Sequence, residues 1–188
     1  FYFLLIVALF ISAREWISIT KNKSYKLLGL IFLLISFYTF YKLRINSDNN
    51  YTNLIIILII CVLTDIGGFV FGKTFRGPKL TKISPNKTYA GVIGSLIMTL
   101  CSIPFFMSYN LVNNDEILVS ILFFVSVSVI CQAGDIIISY FKRLSKVKDT
   151  GKIIPGHGGL LDRIDGMIFA IPFSYILLSL GLLKNIFI

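Results

Sequence analysis

The chain has 188 residues, 56% of them hydrophobic and 14% charged, with a formal net charge of +9 and a mean hydropathy of +0.84. So apolar a chain has too little polar surface to coat a water-exposed globule, which excludes an ordinary soluble domain. Its apolar residues come in blocks approaching the roughly 20 that a helix needs to cross about 30 Å of hydrocarbon. They lack the one-residue alternation of an outer-membrane strand, so the expected fold class is all-α, a polytopic transmembrane helical bundle.

In chain order the expected spans are residues 1–13, 27–45, 54–72, 90–108, 117–139 and 166–183, about six in all. The chain begins at Phe1 without methionine and is hydrophobic from there, which reads as a partial or shortened chain lacking N-terminal helices. A cleaved signal peptide is the weaker reading, because no charged leading region is visible. Cys61, Cys101 and Cys131 fall inside apolar blocks without CxxC spacing and read as small packing residues.

The joining loops alternate in charge. Arg14 to Lys26 holds four bases against Glu15, Lys73 to Tyr89 holds five bases and no acid, and Tyr140 to Asp165 holds six bases with Asp149, Asp162 and Asp165. The intervening loops and the tail with Lys184 are poorer in bases, so the first, third and fifth loops are expected on the cytoplasmic side. The bases sit in short loops between spans rather than on a separable soluble face, which argues against a nucleic-acid partner. In loops 73–89 and 140–165 they are interleaved with Gly and Pro, as an anion-binding surface would have them. The expected organisation is residues 1–53 as N-terminal transmembrane helices and residues 54–188 as a catalytic transmembrane domain carrying those two loops.

Ionisable groups at membrane depth point to a site. Asp65 lies eight residues before Lys73, about 12 Å down a helix. Gly68, Phe69 and Gly72 follow it on the same face, so the strip fits close approach by a ligand or by another helix in a small-residue seam. Ser128, Gln132, Asp135, Ser139 and Lys142 or Arg143 recur at three and four residues and form one polar stripe that ends in a basic loop. That stripe suits a cavity, or a purely structural polar network. Asp162 and Asp165 stand at the foot of the last span. Oxygen ligands from separate helices, such as Asp135 and Asp162, are what Mg²⁺ requires. Pro155-Gly156-His157-Gly158-Gly159 is a tight turn whose amides could nest a phosphate, with the chain's single histidine placed for phosphate contact or general-base work.

Two stretches carry a family resemblance. Ser139-Tyr-Phe-Lys142-Arg143 through Lys148-Asp149-Thr-Gly151-Lys152 and Pro155-Gly-His157-Gly-Gly159 to Leu-Leu-Asp162-Arg163-Ile-Asp165 resembles the hallmark motif of phosphatidate cytidylyltransferases, the CDP-diacylglycerol synthases. Asp65-Ile-Gly67, Phe71-Gly72-Lys73 and Ile83-Ser84-Pro85-Asn-Lys87-Thr88 are similar to that family's upstream region. The resemblance implies an enzyme of the cytoplasmic (inner) membrane, active on its cytoplasmic face, that condenses CTP with phosphatidic acid using Mg²⁺. It further implies paired divalent ions, one site able to take a monovalent ion, membrane lipids as surroundings and a homodimer.

On that resemblance the metal candidates are Asp135 and Asp162, joined by Asp165, and the catalytic candidates are Asp135, Asp162, His157, Lys142 and Arg143. Candidates for the nucleotide and phosphates are Lys148, Asp149, Lys152, Gly156, Gly158, Gly159 and Arg163 in the long motif, with Asp65, Lys73, Ser84 and Lys87 upstream. Arg76 joins Lys73 and Lys87 as a candidate for the lipid phosphate. Where the family usually has acids this chain has Ala90 and Ile138. The rival readings are a CTP-dependent polyprenol or phytol kinase and a membrane transporter of phosphate or cations.

Overall fold

A computed structural model of the protein describes residues 1–21, 23–45, 51–81, 83–84, 86–153 and 158–181. The described chain is an all-α bundle: α1 (Tyr2–Ile19), α2 (Lys26–Ile45), α3 (Thr52–Phe75), α4 (Tyr89–Cys101), α5 (Ile103–Ser108), α6 (Ile117–Leu144), α7 (Leu161–Ile164) and α8 (Met167–Ser179). Five helical segments are long and apolar enough to cross a membrane, α4 and α5 together making one of them, and α8 is a shorter apolar helix of 13 residues. Side chains such as Phe3, Leu28, Phe69, Leu118 and Leu122 are exposed on the outer faces. For a membrane protein this is the expected arrangement, because lipid tails solvate what water would expel.

Several expected boundaries shift. The first helix continues past residue 13 to Ile19 and carries Arg14 and Glu15 on its last turns rather than in a loop. The third and fifth spans run on to Phe75 and Leu144, so Lys73, Lys142 and Arg143 project from helix ends instead of loops. Long cationic stems can lie along apolar surface with the charge at the end, which lets a helix outlast its hydrophobic stretch. The fourth span is interrupted at Ser102, where Pro104 opens a new short helix. The last expected span, 166–183, is described as α8 from Met167 as far as Ser179, preceded by the short α7 and a junction at Asp165 and Gly166.

Two apolar clusters hold the bundle. One gathers Ile56, Ile57 and Ile60 of α3, Phe106 of α5, Phe123, Phe124 and Val127 of α6 and Ala170 and Ile171 of α8. The other joins Trp16, Ile19, Leu33 and Phe37 of α1 and α2 to Ile138, Leu161 and Ile168. The indole Nε1 of Trp16 donates to the Lys26 carbonyl at 3.0 Å, which ties the α1–α2 connection. Inside α8, Pro172 has no N–H for the carbonyl of Ile168, and the hydroxyl of Ser36 in α2 donates to that oxygen at 2.8 Å.

The tightest contact is between α3 and α4. A Cβ added at Gly67 would stand 2.6 Å from the Gly94 carbonyl oxygen, and one at Gly91 would stand 2.8 Å from that of Gly68. The small-residue face anticipated beside Asp65 is therefore a helix seam, and Ser95 Oγ crosses it to donate to the Thr64 carbonyl at 2.6 Å. Because the clash at Gly67 is with backbone, Gly67→Ala is expected to destabilise the fold by about 1–3 kcal/mol, the usual cost of overpacking. Thermal unfolding in detergent would register this as a lowered midpoint; an unchanged midpoint would mean the seam is looser than described.

Candidate functional site

The site begins with four pieces of local structure at one end of the bundle. On α3, Thr64, Asp65 and Gly68 face inward, and on α6 the polar stripe descends past Lys142, Asp135, Gln132 and Ser128. Between α3 and α4, the Leu80 amide donates to the Lys87 carbonyl at 2.8 Å and Tyr89 N to the Pro78 carbonyl at 3.2 Å. This folds the 76–88 connection back, so that Ser84, Asn86 and Lys87 reach the same space. Thr88 then caps α4, its Oγ1 accepting from Gly91 N at 3.1 Å. The fourth piece is α7 with its flanks, which brings in Asp149, Asp162, Arg163 and Asp165.

These walls enclose one cavity of about 470 Å³. Lys87 forms an ion pair with Asp135 Oδ2 and also donates to the Gln132 carbonyl at 3.4 Å, while Ser139 Oγ approaches Asp135 Oδ1 at 3.4 Å. Below them a hydroxyl ladder continues into the bundle, with Gln132 Nε2 donating to Ser128 Oγ at 3.4 Å and Thr64 Oγ1 to the same oxygen at 2.9 Å. The stripe thus forms a polar network and a cavity wall at once, its lower rungs satisfied internally and its upper ones open.

Asp162 is the most heavily bonded acid of the site. Its side chain is 8% exposed; Oδ1 accepts from Lys142 Nζ at 2.9 Å, and Oδ2 accepts from the amides of Thr150 at 2.8 Å and Gly159 at 2.9 Å. Burial alone would raise its pKa, but the Gly159 amide, the Lys142 ammonium and the Thr150 amide outweigh burial and hold it below its ordinary 3.8. Gly158 sits at a φ of +85°, where a Cβ would also press 2.7 Å from Asp162 Oδ2, so glycine is required there on two counts. Asp165 accepts from the Gly166 amide at 2.9 Å and meets the carboxyl of Asp135. Burial first, and the charge of Asp135 second, push Asp165 well above the ordinary carboxylate value. Two carboxyls so placed call for a shared proton or a cation.

Among the described residues no three His, Cys, Asp or Glu side chains form a ligand group for a metal. The donors present are nonetheless hard oxygens: Asp135 and Asp165 meet, and Asp65 acts electrostatically on Asp165 and lines the same cavity. Mg²⁺ keeps several waters and takes one or two carboxylates plus substrate phosphates rather than a complete protein cage, so this donor set fits it.

Most expected residues therefore converge: Asp65, Ser84, Lys87, Asp135, Lys142, Asp149, Asp162, Arg163 and Asp165 line the cavity. Others stand apart. Lys73 lies over the Phe69 ring, its Nζ 5.5 Å from the centroid. Arg143 donates to the carbonyls of Ile83 at 3.4 Å and Val147 at 3.2 Å, bracing the two basic loops against each other. Arg76, Lys148 and Lys152 are exposed and outside the cavity lining. Gly159 is buried against Asp162. Pro155, Gly156, His157 and Lys184 lie outside the described residues. Ile138, where an acid was anticipated by resemblance, is 3% exposed and packs with Trp16 and Leu161, on a face of α6 away from the cavity.

One acid escaped the sequence reading. Glu15, counted there only against the basic residues of a loop, is 4% exposed and accepts hydrogen bonds from Thr150 Oγ1, Leu160 N and Leu161 N. The signal available was its place one residue before Trp16 at the end of an apolar run, too slight to separate it from a loop charge.

The depressed pKa of Asp162 has a signed consequence for stability. A carboxylate whose folded pKa lies below its unfolded value stabilises the fold above the unfolded value, near 3.8, and loses that contribution as pH falls through the folded one. Asp162→Asn should have a lower thermal midpoint than the parent at pH 7, and the gap should narrow as pH falls below about 4. A gap independent of pH would contradict an ionised, amide-held Asp162.

The model of the cytidylyltransferase family matches residues 1–181. A phosphatidate cytidylyltransferase of Rickettsia typhi is 37% identical over 182 residues, 92% of this chain and 78% of that protein. One of Rickettsia bellii is 38% identical over 194 residues, covering 97% and 81%. One of Staphylococcus haemolyticus is 39% identical over 158 residues, covering 84% and 59%. With its acid-and-base cavity at one end of an apolar bundle and a match along nearly its whole length, the chain belongs to the cytidylyltransferase family.

Proposed function

We propose that the chain is a phosphatidate cytidylyltransferase that joins CTP to phosphatidic acid, giving CDP-diacylglycerol and pyrophosphate. The observation that carries this reading is the cavity in which Lys87, Lys142 and Arg163 stand together among the carboxylates of Asp65, Asp135 and Asp165. Two polyanionic substrates can meet only where cations offset their repulsion, and carboxylates among those cations suit a divalent ion between phosphates. Relatives that bear the name of this activity support the choice of substrates.

In the reaction an oxygen of the phosphatidate headgroup attacks the α-phosphorus of CTP. A new P–O bond forms, the bond from the α-phosphorus to the β-bridging oxygen breaks, and pyrophosphate leaves. Asp135 and Asp165 would hold a Mg²⁺ ion, which when bound would offset charge on the phosphate oxygens. We assign the triphosphate to the α7 side, where Lys142 offers a point charge and Arg163 a planar pair of donors. Asp162, whose oxygens are taken up by Lys142 and two amides, orients that lysine. Lys87, on the opposite wall, is assigned to the lipid phosphate and leaves Asp135 as substrate enters. The phosphatidate phosphate is already anionic near pH 7, so no strong protein base is needed.

We assign the basic end of the bundle to the cytoplasmic side, a reading that the excess of Lys and Arg in its connections supports. There the cavity can take CTP from water while the acyl chains stay in the bilayer of the cytoplasmic membrane. The residues that line the cavity all fall within the proposed catalytic domain, 54–188, while α1 and α2 of the N-terminal part pack against α7 and α8.

Purified protein in lipid micelles with labelled CTP, Mg²⁺ and phosphatidic acid should release CDP-diacylglycerol and pyrophosphate. Asp135→Asn and Asp165→Asn should each lower kcat by at least about a hundredfold, the scale on which a charge-stabilising group acts, while remaining extractable and folded. Parental turnover by both would overturn the metal assignment. CDP with a phosphorylated lipid alcohol in a matched assay would instead identify a kinase.

A further inference from the structure

Glu15 stands outside the cavity lining, yet both its oxygens are taken up by the chain segment that lies between the lining residues Asp149 and Asp162. Oε1 accepts from Leu160 N at 2.9 Å; Oε2 accepts from Leu161 N at 2.8 Å and from Thr150 Oγ1 at 2.9 Å. These donors lie 135 to 146 residues further along the chain. The fit is close: a Cβ added at Gly151 would stand 2.6 Å from Oε1, and one at Gly159 would collide with Oε2.

From the other side, Asp162 Oδ2 accepts from Thr150 N and Gly159 N, and its Oδ1 from Lys142. The two ends of the 150–161 segment are thus clasped between two carboxylates, one from α1 and one from α7. Charge-assisted bonds to backbone amides are strong and directional, and at glycine-rich positions they oppose the large entropy cost of fixing the chain. Without Glu15, Thr150 and Gly159 would lose the face that holds them against Asp162. Asp162 would then lose the two amides that aim it at Lys142.

We propose that Glu15 is a positioning residue for the cytidylyl transfer: from α1 it fixes the base of the 150–161 segment so that Asp162 holds Lys142 at the nucleotide. The inference rests on the assignment of CTP to the α7 side. It makes α1, otherwise an apolar helix at the edge of the bundle, a structural part of the nucleotide subsite.

The test uses the full chain in lipid micelles, with Glu15→Gln, Glu15→Asp and Thr150→Val. In Glu15→Gln one oxygen becomes an NH₂ that cannot accept, which leaves a buried amide without a partner. The amides of Leu160 and Leu161 should then exchange hydrogen at least about tenfold faster while those of α3 and α6 keep their protection. The KM for CTP should rise about tenfold or more while that for phosphatidic acid stays within about twofold. Glu15→Asp keeps the charge and should recover part of the loss, and Thr150→Val, which removes only the hydroxyl contact, should fall between it and the parent.

Parental exchange at Leu160 and Leu161 in Glu15→Gln would overturn the clasp. Faster exchange with both Michaelis constants unchanged would reduce Glu15 to a fold-stabilising residue and overturn the positioning role. Should Glu15→Gln fail to fold, Thr150→Val decides by the same two readouts. A parent protein that makes no CDP-diacylglycerol would overturn the reading of the reaction, and the exchange measurement would still judge the clasp.

Discussion

A carboxylate removed from water must be met by donors or by positive charge, and inside an apolar bundle it has few places to find them. The end of this molecule that carries the cavity is arranged around that requirement. Asp135 is met by Lys87, Asp162 by Lys142 and two amides, and Glu15 by two amides and a hydroxyl. Asp165 is different, because its carboxyl faces that of Asp135 and has only the amide of Gly166 as donor among the bonds described above. Asp162 and Glu15 are fixed by protein groups and hold their surroundings in place, whereas Asp135 is met by one lysine and a long contact from the Ser139 hydroxyl. Asp165, pressed against a second carboxyl, is of these four acids the one least met by protein donors.

The apolar packing serves the same end. The two clusters leave the polar face of α6 directed toward α3 and α7 by packing its buried apolar positions, with Ile138 toward Trp16 and Phe123 and Phe124 toward the core. The stripe is polar because it faces a cavity, and the cavity persists because α3 and α4 flank it without filling it. Even the kink-prone Pro172 is accommodated without a buried orphan, since Ser36 of the neighbouring helix takes up the carbonyl it leaves. Polar satisfaction thus reaches well beyond the acids into the backbone of the bundle.

How much of this the sequence displayed depends on whether a residue's partner was written in the same local pattern. The apolar blocks gave the helices, and three- and four-residue spacing gave the face containing Gln132, Asp135 and Lys142, because both are periodic along one helix. The convergence of Asp65, Lys87 and Asp162 was legible only through resemblance to a family, since nothing local relates three distant segments. Glu15 was missed for a specific reason: its partners are mostly backbone amides, and any residue supplies an amide, so no side-chain pattern marks them. Likewise nothing in the sequence marks the amides of Thr150 and Gly159 as donors to Asp162, because a backbone amide has no signature. Helix ends were misplaced wherever a long cation could extend the helix past its apolar run, as at Lys73 and Lys142.

The contact between α3 and α4 carries a mechanical consequence. Where Gly67 and Gly68 abut Gly94 and Gly91, main chain lies on main chain, with no rotamer between them to swing aside. Such a joint cannot yield gradually; it is either closed or broken. The two helices therefore behave as one stiff plate along that side of the cavity.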